Sequence, residues 1–334
     1  MCKQKNTSSK KLLLLPLAIT FFLFSTFFLP KAYCVSNYPQ KPVRILVPFA
    51  PGGGSDLIAR QIGSQLTERL GQSVVIDNRP AAAGILATEL VARADPDGHT
   101  LLIAMSTQAA YPALYPKLPF DAVKSFVPIT LVGISPLVAV LNAPFPATSV
   151  QTFISYAKSN STKINFGSSG AGSPIHLAGE LFKANARIDM THIPYKGIAP
   201  AIAALMGNEI QILFPAVFLA RPHVASGRLR VLGVTSPARS NLVPQWPTLA
   251  EAGMPGFESS IWYGVMAPAM TPDLIIGKLN REIVSIIQQP EVKQYFFNQG
   301  IEVAGSTSKE FYERLTGDVA SLGKLIRERG IRAD

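Results

Sequence analysis

The segment from Val43 to Ala104 constrains the fold most. Val43–Phe49 (VRILVPF) reads as a buried strand, and a glycine-rich turn, Pro51-Gly52-Gly53-Gly54-Ser55-Asp56, follows it. Ile58, Ile62, Leu66 and Leu70 then recur every fourth residue, the signature of one apolar helix face, and Gly71 supplies a stop. Ser73–Ile76 is the next strand, roughly 84–93 the next helix, and Leu101–Ala104 a third strand. Such a βαβαβ rhythm predicts a parallel sheet covered by helices, because parallel neighbours need a crossover long enough to hold a helix. The 334 residues, 48% hydrophobic and 16% charged, allow an ordinary core and exclude disorder, collagen-like repeats and coiled coil.

Past this unit the pattern breaks and then resumes. Residues 111–120 (YPALYPKLPF) and 142–148 (NAPFPAT) are proline-rich, with an apolar stretch, Pro136–Leu141, between them. A second alternation follows: helices over 150–159, 174–185 and 198–206, strands over 163–166, 190–193, 210–214 and 229–235. A further break at 244–257 leads to the extended run Ser260–Ala267. Thr271-Pro272 opens a helix carrying Ile275, Leu279 and Ile283, and Thr307 with Glu310 has capping-box spacing ahead of a last helix. Two alternations joined by two extended runs predict two α/β lobes, 38–140 with 264–334 and 141–263. The chain would cross at about 137–143 and return at about 261–267, making a hinge and an interlobe cleft.

Net charge is +10, and half of it comes from Lys3, Lys5, Lys10, Lys11 and Lys31, in a leader without acids. Behind those lysines, residues 12–29 are an apolar run, so residues 1–34 read as a secretory signal peptide with Ala32 and Cys34 before a cleavage at Val35. An uncleaved anchor and a lipidated Cys34 are the alternatives, although Lys31 does not suit the lipoprotein pattern. Both cysteines, Cys2 and Cys34, fall in this leader, so the exported protein would be indifferent to redox state. Elsewhere the positive charges are scattered and no basic run interleaves with aromatics, which argues against nucleic acid.

Several motifs carry two readings. The turn at 51–56 leaves backbone N–H groups at a helix start, a ready anion site; alternatively Ser55 or Asp56 merely caps the helix. A dinucleotide fingerprint fails because Leu57 stands where the third glycine belongs, despite Asp77 at a suitable distance, and no cofactor is expected. Residues 167–173 (GSSGAGS) form a second loop able to offer amides and hydroxyls, with Ser173-Pro174 as cap and first turn. Ala171 sits where a nucleophile elbow requires glycine. His99, His176, His192 and His223 lack metal-ligand spacing, so no metal is expected. His176, beside the serine loop, packs or caps locally or reaches a ligand; Tyr195 and Lys196 of the PYKG turn face the cleft or shape the turn.

Together these stretches resemble a known family. VRILVPFAPGGGSDLIAR, NFGSSGAGSPIHLAGELF, THIPYKGIAPAIAALMGNEIQILF and PTLAEAGMPGFESSIWYGVMAP are similar to segments of the tripartite tricarboxylate transporter substrate-binding proteins, the TctC-like Bug receptors, from about Tyr38 to Ile331. The resemblance implies an α/β periplasmic binding protein of the type II, Venus flytrap kind, with two crossing strands as hinge. It implies a monomeric, non-enzymatic receptor that closes on a small organic acid and hands it to a membrane permease. One ligand carboxylate would sit against loop amides and ordered waters. Pro51, Gly52, Gly53 and Asp56 match the P-G-G-x-x-D pattern, with Phe49 just ahead of it; Ser168, Ser169, Gly170 and Gly172 match the serine loop. Ser106, Thr107 and Gln108, after the third strand, are expected to face the same cleft, joined by His176, Tyr195 and Lys196. Pro215, beside Ala216, replaces the aspartate usual in the family after the strand ending in Leu213-Phe214, and proline removes a backbone donor. That end of the site would accept a second carboxylate or prefer an apolar ring. The alternatives are an exported serine hydrolase using Ser168 or Ser169 with His176, and a receptor that feeds a sensor kinase.

Overall fold

The structure, a computed structural model, describes residues 38–80, 84–160 and 163–332. The predicted leader therefore lies outside the described residues. In chain order, β1 (Val43–Val47), α1 (Gly54–Leu70), β2 (Val74–Asn78), α2 (Ile85–Ala92) and β3 (Thr100–Met105) realise the opening rhythm. Helix α3 (Thr107–Leu114) and strands β4 (Phe126–Pro136) and β5 (Val138–Asn142) follow. The second half holds α4 (Val150–Ser159), β6 (Asn165–Ser168), α5 (Pro174–Ala186), β7 (Thr191–Pro194), α6 (Ile198–Met206), β8 (Ile212–Leu213), α7 (Val217–Ala225) and β9 (Leu229–Val234). The chain closes with β10 (Ser260–Pro268), α8 (Asp273–Ile287), α9 (Pro290–Asn298), β11 (Glu302–Val303) and α10 (Ser308–Arg329).

These strands form two sheets, in the orders β11-β4-β10-β3-β1-β2 and β7-β6-β8-β5-β9. The fold is mixed α/β and two-lobed. As the rhythm predicted, β1 pairs in parallel with β2 and β3. β10 runs antiparallel to both β3 and β4, so the first sheet is not purely parallel. Each lobe has its own core. Phe153, Phe166, Phe182 and Phe214 are fully buried in the second, and Ile45, Ile58, Ile62 and Leu279 in the first. Helix α10 lies so close to β10 that a Cβ at Gly264 would run into the Phe311 ring.

The outgoing crossing is short. β4 belongs to the first sheet and β5 to the second, and only Leu137 separates them. The return crossing leaves β9 at Val234 and enters β10 at Ser260. Thr235, fully buried, joins the two. Its amide donates to the Leu137 carbonyl (2.9 Å), its hydroxyl accepts from the Leu137 amide (3.0 Å), and its carbonyl accepts from the Ser259 amide (2.9 Å).

Two helices form in stretches whose prolines oppose one. Helix α3 holds Pro112 and α7 holds Pro222, each past the first turn, where proline removes one intrahelical bond. Burial outweighs that loss in α3: Ala109, Ala110, Tyr111 and Leu114 are all buried.

Candidate functional site

The turn after β1 is built around Asp56. Gly52 takes a left-handed conformation (φ 88°) that a side chain would strain, and Gly53 is the N-cap of α1, with no side chain capping the helix. The expected cap from Ser55 or Asp56 is therefore absent, because the Asp56 carboxylate turns inward instead. It is 2% exposed and accepts from the Gly52 amide (2.9 Å), Arg60 Nε (2.9 Å) and Asn78 Nδ2 (3.0 Å). Burial alone would raise the carboxyl; these bonds and the Arg60 charge outweigh it and hold the group below its usual range. Asp56 thus clamps the turn and leaves the leading amides of α1 without a side-chain partner. Asp77 is likewise spent, on Arg44 and Arg79.

The serine loop is clamped by neutral groups. Ser173 caps α5 through the His176 amide (3.3 Å), with Pro174 in the first turn. The Gly172 amide donates to His176 Nδ1 (3.0 Å), which places the imidazole proton on Nε2. The His176 ring stacks on His192 at 3.6 Å and 7°, and His192 Nε2 lies 2.7 Å from Ser168 Oγ. Ser168 Oγ in turn accepts from the Gly170 amide (3.1 Å). Burial, then the facing imidazole and the Lys183 charge, press His176 down to about 3; burial and Lys183 press His192 to about 4. Among the described residues, the amides of Ser169 and Ala171 make no hydrogen bond within the chain.

This geometry corrects the serine–histidine pairing. The partner of Ser168 is His192 on β7, not His176, since parallel pairing sets Phe166 beside His192 and brings that ring under the serine. Ser168 is fully buried, and the charge acting on His192 is the cation Lys183. A catalytic base needs an acid behind it and an accessible nucleophile in front.

The loop after β3 divides its three residues. Gln108 is 2% exposed and gives its amide to the Ala122 carbonyl (2.9 Å), so it supports the fold and does not face the cleft. Ser106 is buried with its hydroxyl unpartnered. Thr107 opens α3, in which burial pushes the Tyr111 phenol up to about 12.

An interlobe cavity of about 410 Å³ brings part of the expected set together. Phe49 and Thr107 line it from the first lobe, and Ser169, Gly170 and Gly172 from the second. A neighbouring cavity of about 460 Å³ holds Ser106 and again Thr107, with Leu177, Glu258, Arg314 and Asp318. Thr107 and Pro174, one from each lobe, border both. None of the other expected residues belongs to either lining. Pro51, Gly52 and Gly53 are exposed beside Phe49; Tyr195 is half-buried, with its amide on the Ser168 carbonyl (3.1 Å), and Lys196 is exposed. Pro215 is buried, its carbonyl accepting from the Val138 amide (2.9 Å), and Ala216 is the N-cap of α7. The sequence reading missed Met105, Tyr111, Leu114, Tyr115, Ile175 and Ile261, all in the first lining. Tyr111 and Tyr115 stand four apart, a helical spacing masked by the prolines between and after them.

Two α/β lobes around a cavity bordered by helix starts define the class: a solute-binding receptor. Residues 58–331 match the family model described as Tripartite tricarboxylate transporter family receptor, TctC, and the chain belongs to that family. It is 36% identical over 305 residues (91% of each chain) to the UPF0065 protein in the tcbD-tcbE intergenic region of Pseudomonas sp. strain P51. It is 34% identical over 298 residues to Protein BugT of Bordetella pertussis, covering 89% of this chain and 91% of that one. Among solved structures, R. palustris Rpa4515 with adipate has a TM-score of 0.76 at 32% identity, over 88% of this chain and 99% of that one. MatC from Rhodopseudomonas palustris with bound malate has a TM-score of 0.74 at 30% identity, over 86% of this chain and all of that one. Among the described residues, no cluster of three or more His, Cys, Asp or Glu could hold a metal, and no helix is long and apolar enough to cross a membrane.

Proposed function

We propose that the protein is a non-enzymatic periplasmic receptor that captures a small organic carboxylate between its lobes. It then delivers the acid to a tripartite tricarboxylate-type membrane permease. The observation that carries this reading is the serine loop: its inner polar groups are tied to His176 and His192, while the amides of Ser169 and Ala171 stay free beside the interlobe cavity. Unpaired loop amides favour an anion, because they are donors that the chain itself leaves unsatisfied. Ligands of that class in the R. palustris structures, adipate and malate, support it.

Closure is a hinge motion about Leu137 and the 235–259 segment, with lobes at 38–140 with 264–334 and at 141–263. It would carry the uncapped start of α1, with Gly53, over the same carboxylate. The ligand-holding set is then Phe49, Gly52, Gly53, Thr107, Ser169, Gly170 and Gly172. The receptor works as a monomer, exported by residues 1–34.

Calorimetry of the purified protein against mono-, di- and tricarboxylates tests the reading. Saturable binding of at least one acid is expected, and at about a hundred times its Kd the ligand should add about 2.7 kcal/mol to stability. A cooperatively folded protein that binds none of them would overturn the carboxylate reading. A fluorophosphonate probe should leave Ser168 and Ser169 unlabelled; stoichiometric labelling would favour a hydrolase.

A further inference from the structure

The walls of the 410 Å³ cavity differ sharply. One wall is the serine loop, with the free amides of Ser169 and Ala171 and the hydroxyls of Ser169 and Ser173. The rest is mainly apolar: Phe49, Met105, Leu114, Ile175 and Ile261, with the rings of Tyr111 and Tyr115, and its polar groups are the neutral hydroxyls of Thr107 and Tyr115. Tyr111 is 3% exposed, so its hydroxyl is withdrawn from solvent. Among the described residues, no lysine, arginine or histidine stands in this lining. The site therefore has one anion pole.

The adjoining cavity does not supply a second pole. Among the described residues its one cation, Arg314, is bound by Glu258 (3.0 Å) and Asp318 (3.0 Å), and Asp318 also accepts from Trp262 Nε1 (2.7 Å). Glu313 adds a third acid to that lining. A carboxylate reaching past Thr107 and Pro174 would meet acids whose counter-charge is already used.

Resting on the receptor reading above, we infer that the ligand class is a monocarboxylate with an apolar body of about six carbons or more, aliphatic or aromatic. Its carboxylate sits on the serine loop and its body between Phe49, Tyr115 and Ile261. A second carboxylate would exchange its hydration for a mainly apolar wall that offers it no amide cluster and no cation, only the single hydroxyls of Thr107 and Tyr115. The specificity determinants are then the residues of that wall, and the absence of an acid at Pro215 is of no consequence to it, since Pro215 lies outside the lining.

Matched acids test this on the purified protein, expressed with its own leader. Hexanoate and adipate share a six-carbon chain and differ in the second carboxylate; benzoate and terephthalate repeat the contrast on a ring. The monocarboxylate of each pair is expected to bind at least tenfold tighter, and hexanamide at least tenfold weaker than hexanoate. Tyr115→Arg, at a half-buried position that admits a long side chain, should shift the hexanoate-to-adipate ratio at least tenfold towards adipate. Adipate binding the unmutated protein as tightly as hexanoate overturns the inference while leaving the receptor reading intact. Hexanamide matching hexanoate overturns the anion pole. Silence from all four acids, with a cooperative thermal transition, overturns the inference, and silence from malate and citrate as well overturns the receptor reading itself.

Discussion

The turn at 51–56 and the loop at 167–173 look alike in sequence, glycine-rich runs between a strand and a helix, but they are held by opposite chemistry. The first closes on a buried carboxylate, Asp56, whose charge is answered by Arg60. The second closes on two stacked imidazoles that stay neutral, with Ser168 between them and the backbone. Either clamp leaves outward amides available. The charged one sits where α1 begins, and the neutral one faces the interlobe cavity. A loop keeps its outward amides unpaired when its inner groups are satisfied elsewhere.

The largest expected effect separates the two clamps by pH. His176 and His192 titrate near 3 and 4 when folded, against an ordinary 6.5. Between those limits the unfolded chain binds protons that the native state refuses, so stability is full above about pH 6.5 and falls as pH drops towards 4. The loss should approach about 1.4 kcal/mol per proton per pH unit. Denaturant midpoints measured from pH 7 to 4.5 check it, and His192→Gln should flatten the slope by about one proton. Asp56 acts at lower pH: its folded carboxyl titrates below the usual range, so its contribution disappears only as pH falls through that depressed value.

Next in size is removal of the charged clamp. Asp56→Ala strips the Gly52 amide, Arg60 and Asn78 of their acceptor and should cost roughly 2–4 kcal/mol. Affinity should fall while the order of preferred acids stays the same; a changed order would put Asp56 in contact with ligand. Gly53→Val probes the outward side of the same turn. Gly53 has φ −82° and its Cβ would meet only the Ala50 carbonyl at 3.8 Å, so the fold should lose less than about 1 kcal/mol. A tenfold or greater loss of carboxylate affinity is expected, and full affinity would leave the serine loop as the sole anion site. The smallest change is Ser169→Ala, which removes a hydroxyl and keeps the amide. Roughly a threefold loss, about 0.6 kcal/mol, is expected by titration, in line with one neutral hydrogen bond.

Much of this architecture is legible from local pattern. The strand–helix alternation, the stop at Gly71, the Ser173 cap and the capping box at Thr307 all rest on contacts within a few residues, and all recur in the structure. Helix α3 was not legible, because Pro112 opposes it locally and only packing of Ala109, Ala110 and Tyr111 against distant elements repays the lost bond. The cavity wall fell with it, since Tyr111 and Tyr115 belong to that helix and its end. Gln108 shows the converse: proximity to the cleft in sequence said nothing of the Ala122 carbonyl that takes its side chain.

By itself, then, the sequence determined the α/β class, the two glycine-bearing loops and the family, because strand and helix periods and turn residues act over short range. Tertiary structure alone decided which loop groups are spent and which are free. The pairing of β6 with β7 set His192 under Ser168, and the fold around α1 turned Asp56 inward. Those contacts join residues that are far apart in sequence or lie on elements whose faces are chosen by packing, and no local pattern encodes them.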